Sequence, residues 1–265
     1  MLKIENTQVL GWEPTIRGMR NPLNSWEKSD SGFLSVDGYY DILGEFAGED
    51  DGIVDYFIGP NDRGLMERLA KGGKDHAKYR RMIVVYTDLT APLYWWKEYD
   101  TYKVGTVANS CSTMHKIQAK EFTLEDFSHE HLLVWPENHP DGFCNDSGEP
   151  LWDAGAFDVI HTYTLSDPGY YHGTIAIDVL KLTIVALNHY RNLYLETKDK
   201  RYWWQMIQLL PSSYNQRRTV MLNYEVLANI YPARRNHKLD EWHTFCDWIE
   251  NLPESWIITG EKKDA

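Results

Sequence analysis

The sequence predicts a single α+β domain over residues 1–265. Three observations point there: a continuous apolar, β-branched run at 82–89 (MIVVYTDL), a helical repeat of apolar residues over 174–196 with shorter helical patterns after it, and no internal repeat or linker-like stretch. A chain of 265 residues, 43% of them hydrophobic, is long enough to build a sizeable core, which excludes a disordered or collagen-like polymer.

Taken in order, residues 1–10 alternate polar and apolar side chains, and the Gly-, Asn- and Asp-rich stretches 18–31 and 44–52 read as loops framing short strands. Gly59-Pro60-Asn61-Asp62 precedes Leu65, Met66, Leu69 and Ala70 at helical spacing, with Gly72-Gly73 as a stop; the pattern predicts a short helix capped by its own Asn or Asp. The run at 82–89 is a buried strand closed by Thr90-Ala91-Pro92. The proline starts a helix over 93–102, broken near Gly105, and a polar, turn-like string follows at 108–115 (ANSCSTMH). Residues 120–171 show little periodicity and read as a long irregular insertion serving an interface or a lid. Helices are predicted over 174–196, over 203–210 before Pro211, over 216–230 up to Pro232, and over 239–249. In the last of these Trp242, Phe245, Trp248 and Ile249 share one face.

Charge and motif content narrow the chemistry. A formal net charge of −12 disfavours a nucleic-acid partner, which needs a broad positive field, but leaves room for a local basic pocket. Three widely spaced cysteines argue against a disulfide framework. The N-terminus has no basic segment leading into an apolar one, and no stretch is apolar enough to span a membrane, so the expected setting is the cytoplasm. Neither GxxxxGK[ST] nor GxGxxG occurs, so any nucleotide or flavin must be held in another way. His129, His131, His139 and Cys144 are residue types that suit zinc, but their spacing fits no strong zinc pattern and a solvated loop explains them as well. Cys111 beside His115 has the elements of an activated thiol; a small residue in a packed turn is the plainer reading. Arg217, Arg218, Arg234, Arg235, His237 and Lys238 could form a pocket for a phosphate or an electron-rich carbonyl, or line a solvated helix face.

The strand at 82–89, the Ala91-Pro92 junction, the helix ending in Asp100-Thr101-Tyr102-Lys103 and the string Asn109-Ser110-Cys111-Ser112-Thr113 together resemble the flavin-dependent thymidylate synthases. That family carries RHR, a short gap and NExSxRY in this order. His76 falls where the family has a histidine in the loop before the strand. Further along, Asn223, Leu227, Asn229 and Arg234 reproduce an NxxxLxNxxxxR string after Leu210-Pro211. The resemblance implies a mixed or antiparallel sheet with long helices, and a homotetramer with FAD and nucleotide sites built between subunits. It also implies reductive methylation of a pyrimidine nucleotide such as dUMP: NADPH reduces the flavin and methylenetetrahydrofolate supplies the carbon, with no need for an enzyme cysteine.

The same resemblance assigns roles. Arg234 would act on the pyrimidine carbonyl as the catalytic residue, and Glu98, Ser110, Ser112 and Arg235 would complete the substrate site. His76, Tyr102, Lys103, Val104, Asn109, Asn223 and Asn229 would hold FAD. The chain departs from the family in placing Thr101 and Tyr102 where RHR begins, Ser110 at the glutamate, Met114 at the last signature arginine and Ile207 at a further phosphate-binding arginine. Arg217 or Arg235 would have to replace those cations. Three outcomes therefore stand: an active methylase, a flavoprotein with another redox or binding role, and a structural or regulatory homologue without turnover.

Overall fold

The computed structural model describes residues 1–33, 56–134, 160–163 and 171–260. They form two compact units, one comprising Met1, Ala91–Tyr94 and Cys111–Gln216, the other Leu2–Thr90, Trp95–Ser110 and Arg217–Ala265.

The larger unit is built on an antiparallel sheet. Strand β1 (Lys3–Leu10) follows the alternation read in the sequence. It pairs antiparallel with β4 (Val84–Pro92), with Ile4 opposite Leu89 and Val9 opposite Val85, and an irregularity between Glu5 and Gln8 where Asn6 takes a left-handed φ of 54°. Strand β8 (Asn215–Asn223) lies beside β4, and β5 (Val107–Ser110) pairs antiparallel with β8 at the edge. The Tyr224 N–H donates to Ile83 O at 3.1 Å beyond one end of the β4/β8 pair, and Leu93 N–H to Tyr214 O at 3.0 Å beyond the other, so these two strands also run antiparallel. Two-residue strands β2 (Gly32–Phe33) and β3 (Tyr56–Phe57) make a separate ribbon.

Three sequence expectations are corrected here. Residues 12–20, which fall within the loop-and-strand reading of the N-terminal region, form helix α1 (Trp12–Arg20); its Pro14 sits in the first turn, where no helical N–H is needed, and Thr15, Ile16, Met19 and Arg20 give the buried face. The predicted helix over 216–230 is strand β8 followed by α6 (Tyr224–Arg234). Gln216, Val220 and Leu222 alternate inward, and the Asn223 side chain accepts from Val226 N–H at 3.0 Å as the N-cap of α6. Asn223 is therefore not on a helix face with Leu227, and Pro232 lies inside the helix rather than ending it. The turn-like string at 108–115 begins as β5, because β8 offers it a free edge.

Helix α2 (Pro60–Lys71) forms where the sequence predicts it, but its cap is remote. Gly59 has no side chain to give, and the Asp30 carboxylate accepts from Asn61 N–H (2.8 Å) and Asp62 N–H (3.1 Å). Asp62 is then free to turn inward, where it is buried against Arg20 at 2.6 Å. Helices α3 (Leu93–Tyr99), α7 (Asp240–Glu250) and α8 (Trp256–Thr259) complete the unit's outline. Its core packs Trp95, Tyr99, Trp242 and Phe245 together, with the Trp95 ring stacked on Tyr99 at 5.2 Å and tilted against Trp242 at 4.7 Å.

The other unit is centred on helices α4 (Ala176–Thr197) and α5 (Lys200–Leu209), joined by Lys198 in a left-handed conformation and Asp199, which caps α5. Both helices match their sequence periodicity. They pack on Ile117, Phe122 and Phe127 through Leu180, Leu187 and Met206, with Ile207 partly buried against the same cluster. Of the expected irregular insertion, residues 120–134 include a capped 3-10 turn at Leu124–Asp126. Strands β6 (Ile160–Tyr163) and β7 (Tyr171–Thr174) form an antiparallel ribbon. Among the described residues no helix is long and apolar enough to cross a membrane.

Candidate active site

Glu98 lies in the last turn of α3, which is short because the chain turns sharply after Tyr99; Tyr102 sits in that turn. Gly105, at φ +78°, then redirects the chain into β5. Arg234 is the final residue of α6, at the negative end of the helix dipole, and His237 and Trp242 follow from the connection and from α7. Two stretches more than a hundred residues apart in sequence thus meet inside one unit.

Arg234 is held on several sides. Its Nη1 pairs with Glu98 Oε2 at 2.6 Å, its Nε donates to Tyr102 Oη at 2.8 Å, and the guanidinium carbon lies 4.7 Å from the Trp242 ring centroid and 5.5 Å from that of Tyr102. Glu98 Oε2 also accepts from Trp242 Nε1 at 3.1 Å and lies 3.3 Å from His237 Nε2. Because His237 Nδ1 accepts the Leu239 N–H, the ring hydrogen of a neutral imidazole sits on Nε2, the ring atom nearest Glu98. Beneath this cluster Trp95 Nε1 and Tyr99 Oη are buried without hydrogen-bond partners among the described residues. Burial, then the charge of Asp100, drives the Tyr99 phenol well above its ordinary pKa, so it stays neutral.

The cofactor residues implied by the resemblance distribute unevenly. Gly105 packs so closely on α6 that a Cβ there would lie 2.9 Å from Asn223 Nδ2 and 3.0 Å from Val226 Cγ2, which places the 101–106 turn against the Asn223 cap. Gly105→Ala is expected to cost about 1–3 kcal/mol, from the left-handed φ and the clash together, and urea denaturation checks it. Lys103 and Asn109 are exposed and Val104 is 90% exposed; Asn109 faces Thr219 across the edge strand. Asn229 is exposed on α6, and the exposed His76 ring lies against Gly72. An exposed ammonium, an amide, two exposed valines (Val104 and Val107) and the open edge of β5 are a donor and apolar set that fits a large planar ring with a polar rim.

Of the implied substrate residues, Ser110 is exposed and lies opposite Arg218 in the sheet. Ser112 belongs to the other unit, where its Oγ accepts from His115 N–H at 3.0 Å. Arg235 leaves the helix end toward Asp247 (2.7 Å) and Glu250 (3.3 Å). The cations read as one cluster are instead separately neutralised: Arg217 by Asp88 at 2.7 Å, and Arg218 by Asp100 at 2.8 Å while it lies 4.1 Å over the Trp96 ring. Hydrogen bonds from Thr219, Asn6 and Arg217 hold the Asp88 carboxyl far below its usual range.

Trp242, which the helical spacing places on one face with Phe245, Trp248 and Ile249, is buried. Its N–H reaches Glu98, a signal present in the sequence only as an aromatic shortly after His237. Among the described residues no cluster of His, Cys, Asp and Glu is arranged to hold a metal; His139 and Cys144 lie outside them. His129 Nδ1 instead meets Phe127 O at 2.8 Å. Cys111 is exposed and its carbonyl accepts from Gln216 Nε2.

No family model matches the chain, and no curated protein matches it in sequence. Solved structures do. Flavin-dependent thymidylate synthase ThyX from Helicobacter pylori, complexed with FAD and dUMP, superposes at a TM-score of 0.56 with 14% identity, covering 98% of this chain and 100% of that one. The UMP/dUMP methylase PolB from Streptomyces cacaoi, bound with 5-Br dUMP, gives a TM-score of 0.52 with 12% identity, covering 98% and 95%. The likeness is one of fold: the chain has the α+β architecture of the flavin-dependent thymidylate synthases along nearly its whole length, as the sequence resemblance implies.

Proposed function

We propose that the protein is a flavin-dependent methylase acting on a pyrimidine, with FAD bound near the 101–109 turn and edge strand, and with NADPH and methylenetetrahydrofolate as co-substrates. The observation that carries this reading is the Arg234 guanidinium, oriented by Glu98, Tyr102 and Trp242 beside that turn, in a fold whose solved examples hold FAD and dUMP.

When bound, the flavin supplies the hydride that completes a methyl group. Everything else falls to the chain. Arg234 donates to a pyrimidine carbonyl and withdraws electron density from the ring, which makes the ring carbon to be alkylated more responsive. Trp242 lies 4.7 Å from the guanidinium carbon and Tyr102 accepts its Nε–H, and the two hold the group in place. Lys103, Asn109, Asn223 and Asn229 supply hydrogen bonds to the cofactor, and His76 and Val104 border it. Ser110 and Arg235 are the further substrate contacts of this reading.

Incubating the FAD-loaded protein with NADPH, methylenetetrahydrofolate and a pyrimidine should yield a product one methylene unit heavier, read by mass spectrometry. A flavin-loaded protein that gives no methylated product sinks this reading. It would instead favour a flavoprotein without methyl transfer, which the apolar packing of Ile207 at an implied phosphate position supports.

We place the active form as a homotetramer in the cytoplasm, with no nucleic-acid or membrane partner. Val179, Leu182 and Val185 form an exposed apolar row at helical spacing on α4, which suits burial against a second copy. Sedimentation velocity is expected to give the mass of four chains, and a monomer would refute this.

A further inference from the structure

Resting on the function proposed above, we infer that His237 is a positioning residue for the methylation: it anchors the Glu98 carboxylate that aims Arg234 at the pyrimidine.

Glu98 and Arg234 are long side chains, 34% and 17% exposed, so their pairing gives the guanidinium a direction only if the carboxylate is itself anchored. One carboxylate oxygen carries the arrangement. Glu98 Oε2 lies 2.6 Å from Arg234 Nη1, 3.1 Å from Trp242 Nε1 and 3.3 Å from His237 Nε2. Trp242 is fully buried and packs on Trp95 and Phe245, so it belongs to the core as much as to the site. His237 is 23% exposed and meets the Trp242 ring edge-on, with centroids 6.3 Å apart, at the border of that core.

His237 can serve as an anchor because the main chain sets its ring. Its own N–H donates to Arg234 O at 3.1 Å, which ties it to the end of α6 that carries the arginine. Its Nδ1 accepts the Leu239 N–H at 3.2 Å, and its carbonyl accepts from His243 Nε2 at 2.7 Å. With Nδ1 taken by a donor, the ring hydrogen sits on Nε2, the atom nearest the carboxylate. Such a ring holds Glu98 without bringing a second cation, so the positive charge beside the pyrimidine stays with Arg234. Removing the ring frees one side of Glu98, and the short, charge-assisted bond from Arg234 Nη1 makes the guanidinium follow the carboxylate. A donor displaced in this way still meets the substrate but stabilises the developing charge less, which lowers kcat more than it raises KM.

The test is a double-mutant cycle on the FAD-loaded protein, with dUMP and UMP as the pyrimidines and oxidation of the reduced flavin in the presence of methylenetetrahydrofolate as the readout. His237→Ala is expected to lower kcat about 3- to 10-fold, to change KM by less than about 2-fold and to leave the flavin bound. His237→Gln, which offers an N–H at similar reach, should recover most of the loss. In a Glu98→Ala background, His237→Ala should have no further effect. A second readout needs neither FAD nor substrate: nitrogen-15 spectra of the histidine rings should show His237 as the Nε2–H tautomer, with signals that move in Glu98→Ala. Unchanged kcat in His237→Ala, no recovery in His237→Gln, the same fold loss with and without Glu98, or an Nδ1–H tautomer each overturns the inference and leaves the proposed function standing. A wild-type protein whose flavin is oxidised by neither pyrimidine defeats the proposed function, and the inference with it.

Discussion

Replacing Asp62 by Asn is expected to destabilise the protein by about 3–5 kcal/mol at neutral pH, the usual loss when one partner of a buried ion pair is removed. Asp62 is fully buried and Arg20 nearly so; Arg20 Nε lies 2.6 Å from the carboxylate, and its other nitrogens donate to Ser25 O (3.1 Å) and Lys28 O (2.9 Å). The second carboxylate oxygen accepts from the Ser29 and Ser31 hydroxyls at 2.8 and 2.7 Å and from the Asp30 N–H at 3.1 Å. An amide in that position leaves the guanidinium uncompensated and confronts three donors with a weaker acceptor.

Burial alone would raise the Asp62 pKa. The hydrogen bonds from Ser31, Ser29 and Arg20, with the charge of Arg20, outweigh it and hold the carboxyl below its ordinary value. A depressed carboxylate contributes stability that is present above its unfolded pKa, about 4, and is lost as pH falls through the folded value. Urea denaturation should therefore show the wild-type advantage over Asp62→Asn intact at pH 7 and shrinking below about pH 4. A difference that is constant across that window would show that the charge on Asp62 is not what stabilises the fold. The double variant Arg20→Met, Asp62→Leu should cost less than the two single losses added together, since it leaves no orphaned charge.

The second large effect is at Arg234. Arg234→Ala is expected to lower kcat/KM for pyrimidine-dependent flavin oxidation by about 10- to 100-fold or more, equivalent to one charge-assisted hydrogen bond of about 1.5–3 kcal/mol, while the protein stays yellow. Retained flavin separates a substrate defect from loss of the fold. Arg234→Lys should recover little, because an ammonium cannot keep the Glu98 and Tyr102 bonds together with a donor for the ligand. Unchanged turnover in Arg234→Ala would mean that the substrate lies elsewhere.

Legibility in the sequence followed a physical rule. Helices α4, α5 and α7 were readable because each buries one stripe of its own surface, so the 3.6-residue period is written into the local chain. Strand β4 was readable from its apolar, β-branched run, although the structure buries alternate residues along it, Val85, Thr87, Leu89 and Ala91, and leaves Tyr86 exposed. The misreadings arose where partners are distant. Strand β8 merges with α6 without a break in hydrophobicity, because Asn223 both ends the strand and caps the helix, and β5 looks like a polar turn until an edge is supplied. The local sequence offers Asn61 or Asp62 as the α2 cap, whereas Asp30, remote in the chain, provides it.

By itself, then, the sequence determined the α+β class, the main helices and the central strand, because composition and periodicity are local properties, while Arg234, Tyr102 and Asn223 were marked out only by resemblance to the motifs of a known family. Only the tertiary structure decided which carboxylate meets which arginine. Arg217, Arg218, Arg234 and Arg235 look like one basic patch along the chain, but each points to a different acid once strand and helix geometry spreads them apart. The charge of a site depends on distances of a few ångströms between residues far apart in sequence, and those distances exist only after folding.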